Sequence, residues 1–208
     1  MQSLNHKQQA EQEAIRLAVE KAAALDDWPA RCARLGLPDP ATTGGAIRLT
    51  VLGATLELRA PEFRAVAIGV GKPPKPADRL LALHYLLGEL PLAPAGEWIT
   101  FREFPGGRFY WNPFLARSVN PLVVCIGNDL DLLRERLRRF AATVTPLADG
   151  GLHATIRALG AIELRLAYRP GDDEFPPSAE LLYDARARRL LCAEDAVALA
   201  GRFCIGLL

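Results

Sequence analysis

The spacing of apolar residues changes along this chain between helical and alternating, and each change predicts an element. Ala14, Ile15, Ala18, Val19 and Ala22 recur at helical spacing within residues 4–25, whose first turns are almost wholly polar. That stretch predicts a helix whose polar start projects from the body or frays. Asp27 is placed to cap a second, short helix with Pro29 in its first turn; Trp28, Cys32 and Leu35 share one face and Gly36 ends it. Residues 38–45 read as loop. Ile47, Leu49 and Val51 then alternate with Arg48 and Thr50, and past Gly53, Leu56 and Leu58 alternate with Thr55, Glu57 and Arg59. This is the pattern of a half-buried hairpin. Residues 63–70 form a third extended piece, and 77–87 a helix apolar nearly all round, through Leu80, Leu81, Leu83, Leu86 and Leu87, with Gly88 at its end.

An aromatic-rich strand is expected over 97–104, closed by Phe104-Pro105-Gly106-Gly107, the signature of a type II turn, with 108–111 returning as its partner strand. Asn112-Pro113 and Asn120-Pro121 each announce a short helix by a capping residue before proline. Gly127 ends the second of these. Asn128 is expected to cap a third helix through Ala141, with Leu130, Leu133, Leu137 and Phe140 on its apolar face. The clearest period of two follows: Leu152, Ala154, Ile156 and Ala158, then, after Gly160, Ile162, Leu164, Leu166 and Tyr168. It predicts an antiparallel hairpin. The loop RPGDDEFPP leads to a strand at 179–183 and a closing helix at 193–203. Strands cluster at both ends with helices between, which predicts an α+β class: antiparallel sheets with helices packed on one side. One globular domain over 45–208 with a helical N-terminal extension over 1–44 is the expected organisation.

Composition narrows the function classes. The chain has 208 residues, half of them apolar and 24% charged, which suits a globular core. Lys+Arg total 25 against 24 Asp+Glu, a net charge of +1, so the electrostatic signature of a dedicated nucleic-acid binder is missing. Arg134, Arg136, Arg138 and Arg139 lie in the C-terminal half of a predicted helix, where positive charge complements the helix dipole. No apolar run reaches the ~18–20 residues of a membrane span, and the polar N-terminus is unlike a signal peptide, so a cytoplasmic location is expected. The four cysteines include no tight pair; the nearest two, Cys192 and Cys204, are twelve positions apart. Clusters and zinc sites usually draw two thiolates from one turn, so core cysteines are expected.

The candidate chemistry is sparse. Gly69-Val70-Gly71-Lys72 invites a phosphate-loop reading, but Pro73 and Pro74 follow, with no amide proton and no hydroxyl for magnesium; a proline-rich connector is expected. His84 sits between Leu80 and Leu87 beside Tyr85, either as a hydrogen-bonded core histidine or as a ligand to a metal or planar cofactor. Asp172, Asp173 and Glu174 form an acidic run, either a site for a hard cation or, the favoured reading, a solvated loop whose acids pair with Arg169 or a neighbouring basic residue. Segment 98–111 gathers Trp98, Phe101, Phe104, Phe109, Tyr110 and Trp111 with Arg102, Glu103 and Arg108, a composition that fills a core or lines a cleft. No Gly-x-Ser-x-Gly elbow and no catalytic cysteine signature is present.

Four stretches, LLALHYLLG (80–88), GEWITFREFPGG (96–107), GDDEFPPSAELLYD (171–184) and LLCAEDAVAL (190–199), stand in an order and spacing that resembles domain of unknown function 3786 of anaerobic bacteria and archaea, over roughly 45–205. Members of that family are often labelled iron–sulfur proteins, some with an added cysteine-rich segment; this chain has only Cys32 in its N-terminal extension, so the resemblance carries no cluster over. It draws attention to His84, Tyr85, Trp98, Arg102, Glu103, Asp173, Glu174, Asp184 and Glu194, and transfers no catalytic residue. The leading expectation is a non-enzymatic accessory protein of anaerobic metabolism. It would bind a small molecule or metallocofactor through His84, Tyr85, Trp98, Arg102, Glu103, Asp173 and Glu174, in a cleft between the 98–111 strand pair and the His84 helix. The alternatives are an enzyme using Glu103, Asp173 or Glu174 as acid or base with Arg102 holding an anionic substrate, and an interaction module docking a protein partner through the N-terminal helix. No nucleic-acid or membrane partner is expected.

Overall fold

The alternating stretches become strands and the helically spaced ones become helices, giving an α+β architecture with antiparallel strand pairing. The computed structural model describes residues 2–69, 74–88 and 96–208, with residues 2–5 and 7 described by backbone alone. The chain divides into two compact units, one of Met1–Ala93 with Leu159–Ala161, the other of Pro94–Ala158 with Ile162–Leu208.

In the first unit, α1 (Gln2–Ala23) and α2 (Trp28–Arg34) precede β1 (Ile47–Val51), β2 (Ala54–Arg59), β3 (Arg64–Ile68) and α3 (Pro76–Leu87). The three strands form an antiparallel meander in the order β3-β2-β1, with Leu49 opposite Leu56 and Leu56 opposite Ala67. Val51 also pairs with Leu159. Ile47, Leu49, Val51, Leu56 and Leu58 are buried, while on the opposite face Arg48 pairs with Glu57 at 2.6 Å. The Asp27 carboxylate accepts the Ala30 amide at 3.2 Å and so caps α2 as expected. Ile15, Ala18 and Ala22 bury the inner stripe of α1, which packs along α3, while His6 and residues 8–10 at its polar start are exposed.

Tyr85 on α3 organises this unit. The side chain is fully buried, its hydroxyl donates to the Leu35 carbonyl at 2.6 Å, and it accepts the Ala161 amide at 2.9 Å. The ring presses on Gly160, where φ is 55° and a Cβ would stand 2.3 Å from the ring. Only glycine meets both conditions.

The second unit contains β4 (Trp98–Thr100), α4 (Trp111–Arg117), α5 (Val119–Ile126), α6 (Leu130–Leu137), β5 (Thr143–Pro146), β6 (Leu152–Leu159, less its last residue), β7 (Ile162–Arg169), β8 (Ser178–Asp184), α7 (Ala187–Leu190) and α8 (Ala193–Gly206). Its strands run β6-β7-β8-β4, and β5 also pairs with β6. The apolar face of α8, including Ala196, Leu199, Ala200 and Phe203, is buried, and the Tyr183 hydroxyl on β8 donates to the Ala196 carbonyl at 2.7 Å.

Several expectations are corrected here. The strand predicted over 97–104 stops at Thr100, because Glu103 reaches back to accept the Thr100 amide at 2.7 Å and winds 101–103 into a 3-10 turn. The Phe104-Pro105-Gly106-Gly107 turn does form, with Gly106 at φ 78° and the Gly107 amide donating to Phe104 at 2.8 Å. Residues 108–111 do not return as a strand: Gly107 lies so close to the Phe101 carbonyl that a Cβ there would be 2.0 Å away, and the chain passes through turns into α4. The partner of β4 is β8, Ile99 opposite Tyr183.

The helix starts also shift. Tyr110 and Ser118, not Asn112 and Asn120, flank α4 and α5, and each proline stands within the first turn. Any of those positions suits proline, since the first helical amides have no carbonyl partner. Asp129, not Asn128, caps α6 by accepting the Leu132 amide at 2.8 Å. Strand β5 has no buried residue, hence no apolar alternation to announce it, and α7 is only one turn long.

Replacing Tyr85 with Phe leaves the Leu35 carbonyl and the Ala161 amide without their buried partner. A loss of about 1–3 kcal/mol is expected, read as a lower urea midpoint at unchanged slope. Gly160→Ala is expected to cost at least as much, since strain at positive φ adds to the ring clash. A midpoint unmoved by both changes would remove Tyr85 from this role.

Candidate functional site

The expected site residues fall in both units. His84 and Tyr85 belong to the first, where His84 is half-buried and Tyr85 has its hydroxyl fully engaged in structure. That arrangement leaves Tyr85 no group for a ligand. Of the glycine–lysine segment, residues 70–73 lie outside the described residues. Trp98, Arg102, Glu103, Asp173 and Glu174 belong to the second unit, and there they separate into three places.

Arg102 and Glu103 share a hollow of about 810 Å³ with Thr100, Arg108, Trp111 and Arg188. The segment that replaces the predicted strand pair builds most of it. The 3-10 turn sets Arg102 and Glu103 side by side, and the Pro-Gly-Gly turn brings Arg108 and Trp111 round. The Arg102 guanidinium lies over the Trp111 ring, 4.2 Å from its centroid. Such stacking holds a planar cation in place while leaving its N–H edge available. Trp111 is itself fixed against Phe114, at 5.5 Å between ring centroids, and Phe114 against Phe101, at 4.4 Å. Glu103 is the one carboxylate among these lining residues, and it is committed to the Thr100 amide. Arg108 and Arg188 have no hydrogen-bond or ion-pair partner among the described residues. The hollow therefore presents three guanidinium groups against one bonded carboxylate, a surplus suited to an anion. Arg108 and Arg188 were not among the expected site residues. The run Ala185-Arg186-Ala187-Arg188-Arg189 marks a basic segment in the sequence; within it Arg186 is consumed by a bidentate pair with the buried Asp184, while Arg188 lines the hollow.

Trp98 instead carries the Arg165 guanidinium, 4.0 Å from the ring centroid. Asp173 and Glu174 line a different, open hollow of about 510 Å³ with Gly127, Asn128 and the rest of the 171–177 loop. That loop is built by backbone bonds. Asn128 accepts the Gly171 amide at 2.7 Å, and one Asp172 oxygen accepts the Glu174 and Phe175 amides at 2.9 and 2.7 Å. Those two amides hold the Asp172 carboxyl below its ordinary value. Arg169, one of the partners expected for the acidic run, pairs instead with Asp149 at 2.7 Å, because Asp149 is already set in the turn by accepting the Gly151 amide.

Among the described residues no group of three or more His, Cys, Asp or Glu side chains is placed to hold a metal ion. Core positions were expected for all four cysteines; Cys32 and Cys204 are buried, but Cys125 and Cys192 are exposed. Burial pushes the Cys32 thiol up to about 11 and the Cys204 thiol up to about 12. The Cys192 sulfur is tucked against Asp195, to which it donates at 3.2 Å, and desolvation together with the nearby carboxylate charge pushes that thiol up to about 12. Cys125 Sγ accepts from Arg136 at 3.3 Å. No helix among the described residues is long and apolar enough to cross a membrane.

Iodoacetamide applied to the native chain at neutral pH is expected to label Cys125 first and Cys192 slowly. Cys32 and Cys204 should react only after unfolding, as the thiolate is the nucleophile. Peptide mass spectrometry reads the order, and early labelling of Cys204 would contradict the burial. For the acidic loop, the sign follows from the lowered Asp172 carboxyl. Its contribution is complete above the ordinary value of 3.8 and is lost as pH falls through the lower folded value. The Glu174 and Phe175 amides should therefore keep their NMR positions down through that ordinary value and move below it. In Asp172→Ala both should already be shifted at neutral pH.

Comparison with curated proteins and with solved structures gives no match. A family model does match, over residues 27–205, and its description is Domain of unknown function (DUF3786). The matched span leaves out α1 and takes in α2 and the later strands and helices, up to all but the end of α8. The chain belongs to this family of unknown function.

Proposed function

We propose that the chain is a non-catalytic binding protein that holds a small anionic ligand in the hollow formed by Arg102, Arg108, Trp111 and Arg188. The observation that supports this most is the charge balance there: three guanidinium groups, two of them without a partner among the described residues, around one carboxylate already bonded to the Thr100 amide. Planar forks of N–H donors match carboxylate and phosphate oxygens. The volume of about 810 Å³ suits a small molecule. Catalysis by Glu103 is disfavoured because its carboxylate is used in the backbone turn. In the cytoplasmic setting expected from the sequence and the anaerobic one implied by the family resemblance, the role is accessory: carrying or presenting an anionic metabolite or an anionic metallocofactor whose own ligands occupy its metal.

The test is calorimetric titration of the full chain with inorganic phosphate, citrate and succinate. At least one is expected to bind, more weakly as salt rises, since the arginines are exposed. Arg102→Gln and Arg188→Gln should each weaken that binding about tenfold or more, the worth of a charge-assisted hydrogen bond. Trp111→Ala should weaken it through Arg102. No binding by any of the three anions, or affinities unchanged in both arginine variants, would overturn the proposal.

A further inference from the structure

We infer that a second hollow in the same unit, lined by Phe101, Tyr110, Arg117, Ala193, Glu194 and Val197, binds a free amino acid with an apolar side chain. This site is independent of the arginine-lined hollow. Neighbouring residues of the 100–111 segment line the two: Arg102, Arg108 and Trp111 serve one, Phe101 and Tyr110 the other.

The floor is apolar and rigid. Phe101 is fully buried and stacked on Phe114 at 11° between ring planes, and Ala193 and Val197 come from consecutive turns of α8. Tyr110 stands 55% exposed, with its backbone anchored by the Phe114 amide at 2.9 Å. Two opposite charges complete the lining. Arg117 ends α4, and Glu194 lies in the first turn of α8. Each complements its own helix dipole. Among the described residues neither forms an ion pair with the other or with any other group; Glu194 has the Cys192 thiol beside it.

This set of side chains selects among ligand classes. A simple anion would meet Arg117 favourably and Glu194 unfavourably, and a simple cation the reverse. An uncharged apolar ligand would strip water from both charges without replacing it. A zwitterion satisfies both at once, its carboxylate on Arg117 and its ammonium on Glu194, while the floor and the Tyr110 ring take an apolar side chain. The size agrees: about 310 Å³ is at the small end of ligand pockets, too tight for a nucleotide and sufficient for an amino acid.

The experiment is calorimetric titration of the full chain with each of the free L-amino acids, followed by the N-acetyl and the carboxamide derivatives of the best binder. An apolar amino acid such as leucine, methionine or phenylalanine is expected to bind. Either derivative should bind about tenfold or more weakly, because each removes one charge from a site that pairs both. Arg117→Gln and Glu194→Gln, both at exposed positions, should reduce binding similarly while lowering the melting temperature only slightly, through the lost dipole contact, and leaving any phosphate binding unchanged. The carboxamide also separates a free amino acid from the N-terminus of a peptide, which lacks the adjacent carboxylate. The inference is overturned if no amino acid binds more tightly than about 10 mM, if glycine or aspartate outcompetes every apolar one, or if both derivatives bind as well as the parent.

Discussion

A phenol hydroxyl removed from water must be hydrogen-bonded, and the fully buried tyrosines of this chain meet that demand in one way. Tyr85 donates to the Leu35 carbonyl at the end of α2, Tyr168 to the Gly127 carbonyl at the end of α5, and Tyr183 to the Ala196 carbonyl near the start of α8. Each bond runs from near the end of one element to a backbone group of another segment. Carbonyls near helix C-termini are the ones that lack an internal partner, so two of the three bonds also satisfy groups left over from helix ends. Burial pushes the Tyr168 hydroxyl up to about 12 and the Tyr183 hydroxyl well above its ordinary value, which keeps both protonated and able to donate. Moving any of these rings would strand a donor and an acceptor together.

In the second unit, this rigidity supports the segment that lines both hollows. Phe104 packs edge-on against Tyr183, and Phe101 stacks between Phe104 and Phe114. The core aromatics thus hold one side of the 100–111 segment. The residues between them, Arg102, Glu103 and Arg108, are turned outward. Glu103 closes the tight turn from within. The Arg102 guanidinium is steadied by Trp111, whose own ring belongs to the same aromatic stack. A strand pair would have alternated these side chains across two faces. The 3-10 turn and the Pro-Gly-Gly turn instead gather the cations at one place.

The acidic run shows the opposite outcome for a conspicuous motif. Asp172 looks available in the sequence, but its carboxylate is used to fold its own loop, and Asn128 fastens the loop's first residue. Arg169, the natural partner by proximity, is taken by Asp149. Carboxylates that accept backbone amides stabilise a loop's shape more than they prepare it for a cation.

Periodicity alone determined most of the architecture: the hairpins of β1–β2 and β6–β7, the strand β8, the helices α1, α3 and α8, and hence the α+β class. Those elements bury one face, and a buried face leaves a repeating apolar signal. Three short stretches were not legible. Strand β5 buries nothing, α7 is a single turn, and the 97–111 region has aromatic residues enough to suggest two strands, but Glu103 bends it at Thr100 and the chain leaves the Pro-Gly-Gly turn for α4 instead of returning as a strand. The same holds for the candidate sites. Arg102 was visible because it stands among aromatics, yet its companions Arg108 and Arg188, and the charges of Arg117 and Glu194, meet only after chain segments far apart in sequence have packed. Which polar side chains are consumed by the fold, by near neighbours as Glu103, Asp172 and Arg186 are or by distant groups as Tyr85 is, and which remain for a ligand is decided by hydrogen bonds that exist only in the folded chain.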